Sequence, residues 1–297
     1  MSGKTVPSAI LLLVIGNALA LVSDIIIKLQ DADAPIFQFI LVRTLCVLVI
    51  LSPLMRQIDR QQLLRGWRIH LLRAHISIFG IACMVVALKS LPLATANAVF
   101  YAAPLLVMLL GLLFFGERLT APSLTAVLSG FIGIVVILRP VNVDWGALSA
   151  VGVAFTLALG VLLVRKLPSG QSTVHSLVLV HVLMVPTLVL LALIEGAPWK
   201  TEILLSGVGS AFFILCYQVT VLKAYRWVAA NQVTSAEYTG LIWALLGGWV
   251  FFGEQPDLFF ILGSLLIVVP LLWLGLRERR PRRRASITSA ESQPSSI

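Results

Sequence analysis

The residues whose types and spacing could do chemistry are few, and most lie inside apolar runs. Asp24 and Lys28 stand four apart, so on a helix they share a face. Arg43 follows in the next apolar run. These three charges are read either as a cluster at the mouth of a pathway, binding a zwitterionic or anionic substrate, or as an ion-pair triad that neutralises itself. Glu237 lies about nine residues into a later run. Burial there favours the neutral acid, suited to meeting a cationic group or carrying a proton. Polar and aromatic residues at helical spacing surround these positions: Asn17, His75, Asn97 with Tyr101 four residues on, Tyr217, Gln218, Thr220, Tyr238 and Trp243. His181 reads as a packing histidine, and Trp145 and Trp227 as depth anchors.

These residues must be positioned by membrane helices. Of 297 residues, 59% are hydrophobic and only 12% charged. A water-soluble chain of that composition would expose large apolar patches, which excludes a soluble enzyme, a disordered protein and a disulfide-rich secreted domain. Apolar runs at about 7–28, 35–54, 71–90, 93–115, 122–138, 145–164, 174–194, 202–222, 228–252 and 257–276 are each long enough for, or close to, one crossing of the bilayer. They do not alternate polar with apolar, so helices rather than barrel strands are expected. Cys46, Cys83 and Cys216 sit in these runs as small apolar residues, with no disulfide or metal spacing.

Charge sets the expected orientation. With both termini in the cytoplasm, seventeen of the 22 Lys and Arg residues lie inside: Lys4, the arginines at 56, 60, 65, 68 and 73, Arg118, Arg165, Lys166, Lys223, Arg226 and six tail arginines. Only Lys28, Lys89, Arg139 and Lys200 lie outside, and Arg43 falls within a span. Lys4 with Ala18–Leu19–Ala20 imitates a cleavable leader, but removing it would reverse this parity. The net charge of +9 thus reads as topology and lipid contact rather than nucleic-acid binding. That reading includes the basic tail, expected to be disordered over 277–297. The stretch Arg56–Arg73 reads as a short interfacial amphipathic helix.

The chain also repeats itself. Leu88–Lys89 and Asn97 recur as Leu222–Lys223 and Asn231, and Phe114–Phe115–Gly116–Glu117 recurs as Phe251–Phe252–Gly253–Glu254. Lys28–Leu29 matches Lys166–Leu167, and Leu41–Val42–Arg43 matches Leu179–Val180–His181. Five spans per half is an odd number, so the second half enters the membrane from the opposite side. Small-residue pairs Ala126/Gly130 and Ser129/Gly133 favour close helix contact, internal or between two copies. Pro104 and Pro186 each free a backbone carbonyl inside a span.

Ser23–Asp24 with Lys28, Leu91–Pro92–Leu93–Ala94–Thr95–Ala96–Asn97, Gly116–Glu117–Arg118, Glu237–Tyr238–Thr239 and the second Phe-Phe-Gly-Glu resemble the drug/metabolite transporter superfamily, specifically its ten-helix EamA-type members. The resemblance covers about residues 7–276. It implies an all-α membrane protein of two inverted five-helix repeats, 7–138 and 145–276. It also implies a central cavity between helices 1, 3 and 4 and helices 6, 8 and 9, in a bacterial inner-membrane carrier for small organic metabolites.

The expected function is alternating-access transport of an amino acid or amino-acid derivative. Uptake of riboflavin or S-adenosylmethionine is the alternative, and a non-transporting receptor or scaffold the alternative of another class. The expected substrate-binding residues are Asp24, Lys28, Arg43, Asn97, Tyr101, Gln218, Glu237, Tyr238 and Trp243, with Glu237 the proton-coupling candidate. No catalytic set, metal site or cofactor is expected. The only Gly-Lys pair, Gly3–Lys4, lacks the glycines of a phosphate loop. Expected partners are the substrate and the bilayer, with a homodimer left open and no nucleic acid.

Overall fold

The computed structural model describes residues 5–58, 64–116, 120–139, 144–164, 166–168, 171–227 and 234–291. Its helices are α1 (Val6–Lys28), α2 (Ile36–Leu51), α3 (Trp67–Ser90), α4 (Leu93–Phe100), α5 (Ala103–Phe115), α6 (Ala121–Leu138), α7 (Trp145–Val164), α8 (Thr173–Glu195), α9 (Thr201–Trp227), α10 (Thr239–Phe252) and α11 (Leu258–Glu291). Short 3-10 segments run over Ser52–Gln57 and Thr234–Tyr238. Among the described residues, eight helical stretches are long and apolar enough to cross a membrane, with α4 and α5 together forming one of them, Leu93–Phe115. Ala236–Phe252 and Leu258–Leu274 are apolar and shorter.

Helix is the only local solution these sequences have in lipid, because each N–H and C=O must be satisfied within its own segment. Large apolar side chains on the outside, such as Val49, Leu193, Leu205 and Val250, are exposed. Lipid tails are the solvent that tolerates them. The interior combines large side chains such as Phe39, Leu88, Leu105 and Met184 with small or β-branched ones, including Ala74, Val85, Ala96, Val99, Ala150 and Ala244.

Prominent among the helix pairings are α1 with α9, α3 with α7, α2 with α8 and α6 with α11, together with the smaller contact of α4 with α10. Counted as spans, these are 1 with 8, 3 with 6, 2 with 7, 5 with 10 and 4 with 9. Exchanging the two halves converts the first pairing into the second and leaves the other three unchanged, as two repeats related by a pseudo-two-fold axis require. The contacts at helix ends agree with inversion. One face of the bundle gathers the ends of α1, α3 and α10 with the start of α4, through Lys28, Leu91, Glu254 and Leu93.

The small-residue stripe on α6 is an internal seam. A Cβ at Gly133 would stand 2.6 Å from the Gly263 carbonyl oxygen of α11, and one at Gly263 would stand 2.6 Å from that of Gly133. Ser129 donates to the Leu266 carbonyl at 2.8 Å. The two backbones touch because neither carries a side chain there.

Three sequence expectations change. The fourth span is not one kinked helix; it stops at Phe100 and restarts at Ala103. The described part of the ninth span opens as a 3-10 turn over Thr234–Tyr238, so Glu237 does not stand on a regular α-helix; residues 228–233 of that run lie outside the described residues. The last helix continues over 277–291 where disorder is expected. An attached span supplies the nucleus that an isolated basic peptide lacks, and arginine propagates helix well. The expected amphipathic segment at 56–73 enters α3 at Trp67, and its stretch 59–63 lies outside the described residues.

Candidate functional site

The turn between α4 and α5 and the 3-10 opening of the described part of the ninth span occupy corresponding positions in the two halves. Tyr101 ends α4 with φ −67° and ψ −4°, and Tyr238 precedes α10 with φ −68° and ψ −9°. They stand 137 residues apart, the same offset as the two Phe-Phe-Gly-Glu copies. Their rings face each other with centroids 6.1 Å apart and planes tilted by 48°. The pseudo-two-fold axis therefore passes between two tyrosines at two helix breaks.

The two turns have different surroundings. In the first half Pro104 removes an N–H from the second position of α5, and the turn closes through Ala102 N–H to the Val99 carbonyl at 3.0 Å. In the second half the position 137 residues after Pro104 is Leu241, which removes nothing. There the side chain of Asn17, buried in α1, donates to the carbonyls of Ala236 at 3.1 Å and Glu237 at 2.9 Å and to the Thr239 hydroxyl at 3.2 Å. Gly240 completes the join, since a Cβ there would collide with the Tyr101 hydroxyl.

Around the tyrosines lies a cluster of ionisable groups. Tyr101 is within electrostatic reach of Tyr217, Asp24, Glu237 and Tyr238. Asp24, buried on α1, accepts a hydrogen bond from the Asn97 amide at 3.2 Å, and Asn97 lies one turn before Tyr101 on α4. Arg43 is buried on α2 and electrostatically coupled to Asp24, and its Nη1 has no hydrogen-bond partner. Gln218 leaves its amide oxygen buried and unpartnered on α9. The guanidinium N–H can donate to a ligand oxygen, and the amide oxygen can accept from a ligand N–H or O–H.

Not every expected site residue joins this cluster. Lys28 turns away from Asp24 and pairs with Glu254 at 3.0 Å, while also donating to the carbonyls of Leu88 at 3.1 Å and Leu91 at 2.6 Å. Its ammonium lies 5.2 Å from the centre of the Phe252 ring. The other Glu254 oxygen accepts from the N–H of Leu93, the uncapped start of α4, at 2.6 Å. Lys28 and Glu254 thus form a latch across the two halves, and the expected Asp24/Lys28/Arg43 triad is divided. Trp243 donates to the Val14 carbonyl at 3.0 Å and ties α10 to α1. His75 is exposed and bridges to Thr187 at 3.1 Å, far from a pathway role. His181 shares its Nδ1 with the Leu177 carbonyl of its own helix.

A second carboxylate is used in the same way as Glu254. Glu195, at the end of α8, accepts from the first-turn N–H groups of Ile36, Phe37 and Gln38 at 2.6 to 3.1 Å. Both α2 and α4 begin after a proline with no side-chain cap of their own. Each borrows a carboxylate from the other half, where the helix dipole favours negative charge. The opposite face of the bundle is joined by His70 to Gln171 at 3.0 Å and by Arg73 donating to Ser176 at 2.7 Å.

Sequence reasoning singles out Asp24, Arg43 and Glu237 through their cost in lipid and Tyr238 by its place beside Glu237; Asp24 and Arg43 are buried in the structure. It misses the partners of Lys28 and the role of Asn17. The equal offsets of the tyrosines and the Phe-Phe-Gly-Glu copies carry the signal for the mirrored breaks.

Comparison with known proteins adds a second line of observation. The model of the EamA-like transporter family matches twice, at residues 7–139 and 144–276. The chain is 30% identical over 252 residues to a riboflavin transporter of Vibrio cholerae, covering 82% of this chain and 84% of that protein. It is 26% identical over 276 residues to the pseudopaline exporter CntI of Pseudomonas aeruginosa, covering 90% and 96%. It is 26% identical over 223 residues to an S-adenosylmethionine uptake transporter of Rickettsia conorii, covering 73% and 74%. A solved crystal structure superposes with a TM-score of 0.56 at 22% identity, over 93% of this chain and all of that one, which supports the fold.

Proposed function

The chain belongs to the EamA-like transporter family of the drug/metabolite transporter superfamily and is a multi-pass membrane transporter of a small molecule, and on that premise we propose that it is a secondary carrier working by alternating access. The family sets aside the receptor or scaffold alternative, and family members are not enzymes. The observation that carries the reading is the meeting of Tyr101 and Tyr238 at two mirrored helix breaks. Interrupted helices at a repeat interface expose backbone and side-chain polarity at mid-depth, where inverted-repeat carriers bind their substrates.

In this reading the substrate lies against the tyrosine pair, with Asn97, Gln218 and the Asp24–Arg43 pair as its polar contacts and Trp243 holding α10 in place. Glu237 meets a cationic group or carries the coupling proton. The substrate is an organic metabolite with an amino-acid-like moiety, which Asp24 and Arg43 together complement. In this reading the Lys28–Glu254 ion pair is the gate on one side of the pathway, and its 3.0 Å separation supports a closed gate. The cation distribution makes that side the outer one and puts both termini in the cytoplasm, in a bacterial inner membrane. The energy source is a proton gradient or the gradient of the substrate itself.

The printed functions of the relatives favour a second substrate reading, a ring-bearing vitamin or nucleoside derivative stacked on Tyr101 and Tyr238. Uptake into right-side-out and everted membrane vesicles separates these readings. Riboflavin, S-adenosylmethionine and a panel of amino acids are compared with and without the protein. The first reading expects flux of the amino acids, abolished or made pH-independent by Glu237→Gln. Flux of riboflavin alone, unaffected by Arg43→Ala, supports the second and sinks the first.

A further inference from the structure

The turn at Tyr101 and the 3-10 opening at Tyr238 share the tyrosine backbone angles but not a cause. Pro104 accounts for the first. At the corresponding place in the second half stands Leu241, with an N–H and no reason to stop a helix. Carbonyls turned out of a helix ladder at mid-depth find no water, so this turn needs other donors and loosens without them. The carbonyls of Ala236 and Glu237 are instead engaged by side chains. Asn17 donates to both, and the Thr239 hydroxyl donates to Ala236 at 2.6 Å. Asn17 belongs to the first half, and the residue 138 positions later is Phe155, which faces outward. The device is therefore one-sided.

We propose that Asn17 is the positioning residue that substitutes for a proline in the second half, pinning the break so that Glu237 and Tyr238 are presented at the pseudo-symmetry axis. Asparagine suits the task because its amide offers two N–H donors and no charge. Aspartate would aim a carboxylate at two carbonyl oxygens. Glutamine keeps the donors on a stem one methylene longer. Trp243, bonded to the Val14 carbonyl one turn away, holds α10 against the same stretch of α1, so Asn17 sets the local backbone and not the docking of the helix. The inference rests on the reading of Glu237 and Tyr238 as site residues, yet it concerns the backbone that carries them and is testable without a known substrate.

The test uses full-length protein in lipid nanodiscs with two readouts. Hydrogen exchange of peptides covering 234–243 is followed by mass spectrometry. Carboxyl modification by dicyclohexylcarbodiimide, an apolar reagent that attacks protonated carboxyls in the membrane, is followed at Glu237 and at Asp24 as internal control over a range of pH. Asn17→Ala and Asn17→Asp are expected to speed exchange in that segment about ten- to a hundredfold, the effect of losing hydrogen bonds to buried carbonyls. They are also expected to displace the pH profile of labelling at Glu237 while leaving that of Asp24 in place. Asn17→Gln, which keeps the donors, restores both readouts toward the parent. Exchange and Glu237 labelling within twofold of the parent in both variants overturn the proposal, as does an equal displacement at Asp24, the sign of general loosening. If Glu237→Gln transports normally the site reading fails, and these two readouts still decide the role of Asn17.

Discussion

Asp24 illustrates how far the chemistry of one residue constrains its surroundings. A carboxylate in an apolar run demands a partner, and two candidates, Lys28 and Arg43, are visible in the sequence. The nearer in sequence is the wrong one. Lys28 lies one turn beyond Asp24, at the end of α1, where its flexible stem reaches three carbonyl and carboxylate oxygens at the helix ends. Asp24 keeps Asn97. Replacing Asn97 by alanine leaves that carboxyl without its amide donor and is expected to cost about 1–3 kcal/mol. Thermal unfolding in detergent checks this, and an unchanged midpoint would show that Asn97 is not needed there. Gly240→Ala is a sharper case. The added methyl meets the Tyr101 hydroxyl, so overpacking of about 1–3 kcal/mol is expected. Gly240→Ala combined with Tyr101→Phe should recover part of the loss, because the second change removes the clashing oxygen and leaves the ring carbon behind it 2.8 Å from the added methyl. If the double variant is no more stable than Gly240→Ala, the close approach of Tyr101 to the α10 backbone is not the cause.

At the scale of elements, length and apolarity locate nine of the ten spans closely, because lipid leaves the backbone a single option. The interruptions are harder to read. Pro104 signals the first, although sequence alone offers a kink as readily as a break. Nothing local signals the second, since its cause sits more than two hundred residues away, on α1. Borrowed caps are hidden for the same reason. Ile36 and Leu93 follow prolines and have no capping side chain nearby, which hints that their N–H groups are satisfied from elsewhere, but not by Glu195 and Glu254. Glu195→Gln keeps one acceptor oxygen and loses the charge that matches the helix dipole; a loss of about 0.5–2 kcal/mol is expected, with Glu195→Ala at the upper end. Denaturant or thermal unfolding of both variants checks the order, and equal stability of all three proteins would remove the cap from the account.

For the whole molecule, the sequence repeat states the symmetry and the helix pairings express it, down to the two tyrosines that meet on the axis. The latch does not share that legibility. One Phe-Phe-Gly-Glu copy ends at Glu254, folded onto α1 and α4. The other supplies Phe115, whose ring meets Lys166 at 5.5 Å as Phe252 meets Lys28 at 5.2 Å, with Glu117 outside the described residues. If the Glu254 latch holds the outer side closed, Glu254→Gln and Lys28→Met should admit an impermeant thiol reagent. The target is a cysteine placed at Thr95, on the lining of the cavity of about 280 Å³ beside Glu254. Labelling several times faster than in the parent protein is expected. Equal labelling in all three would mean that the pair is a static brace. Flux in proteoliposomes, with Tyr238→Ala and Glu237→Gln beside the parent protein, tests the central claim most directly. The parent is expected to carry at least one of riboflavin, S-adenosylmethionine and the amino acids, with Tyr238→Ala raising its KM and Glu237→Gln removing the pH dependence. Parent-level flux in both variants, at every pH, would contradict a substrate site built on the mirrored breaks.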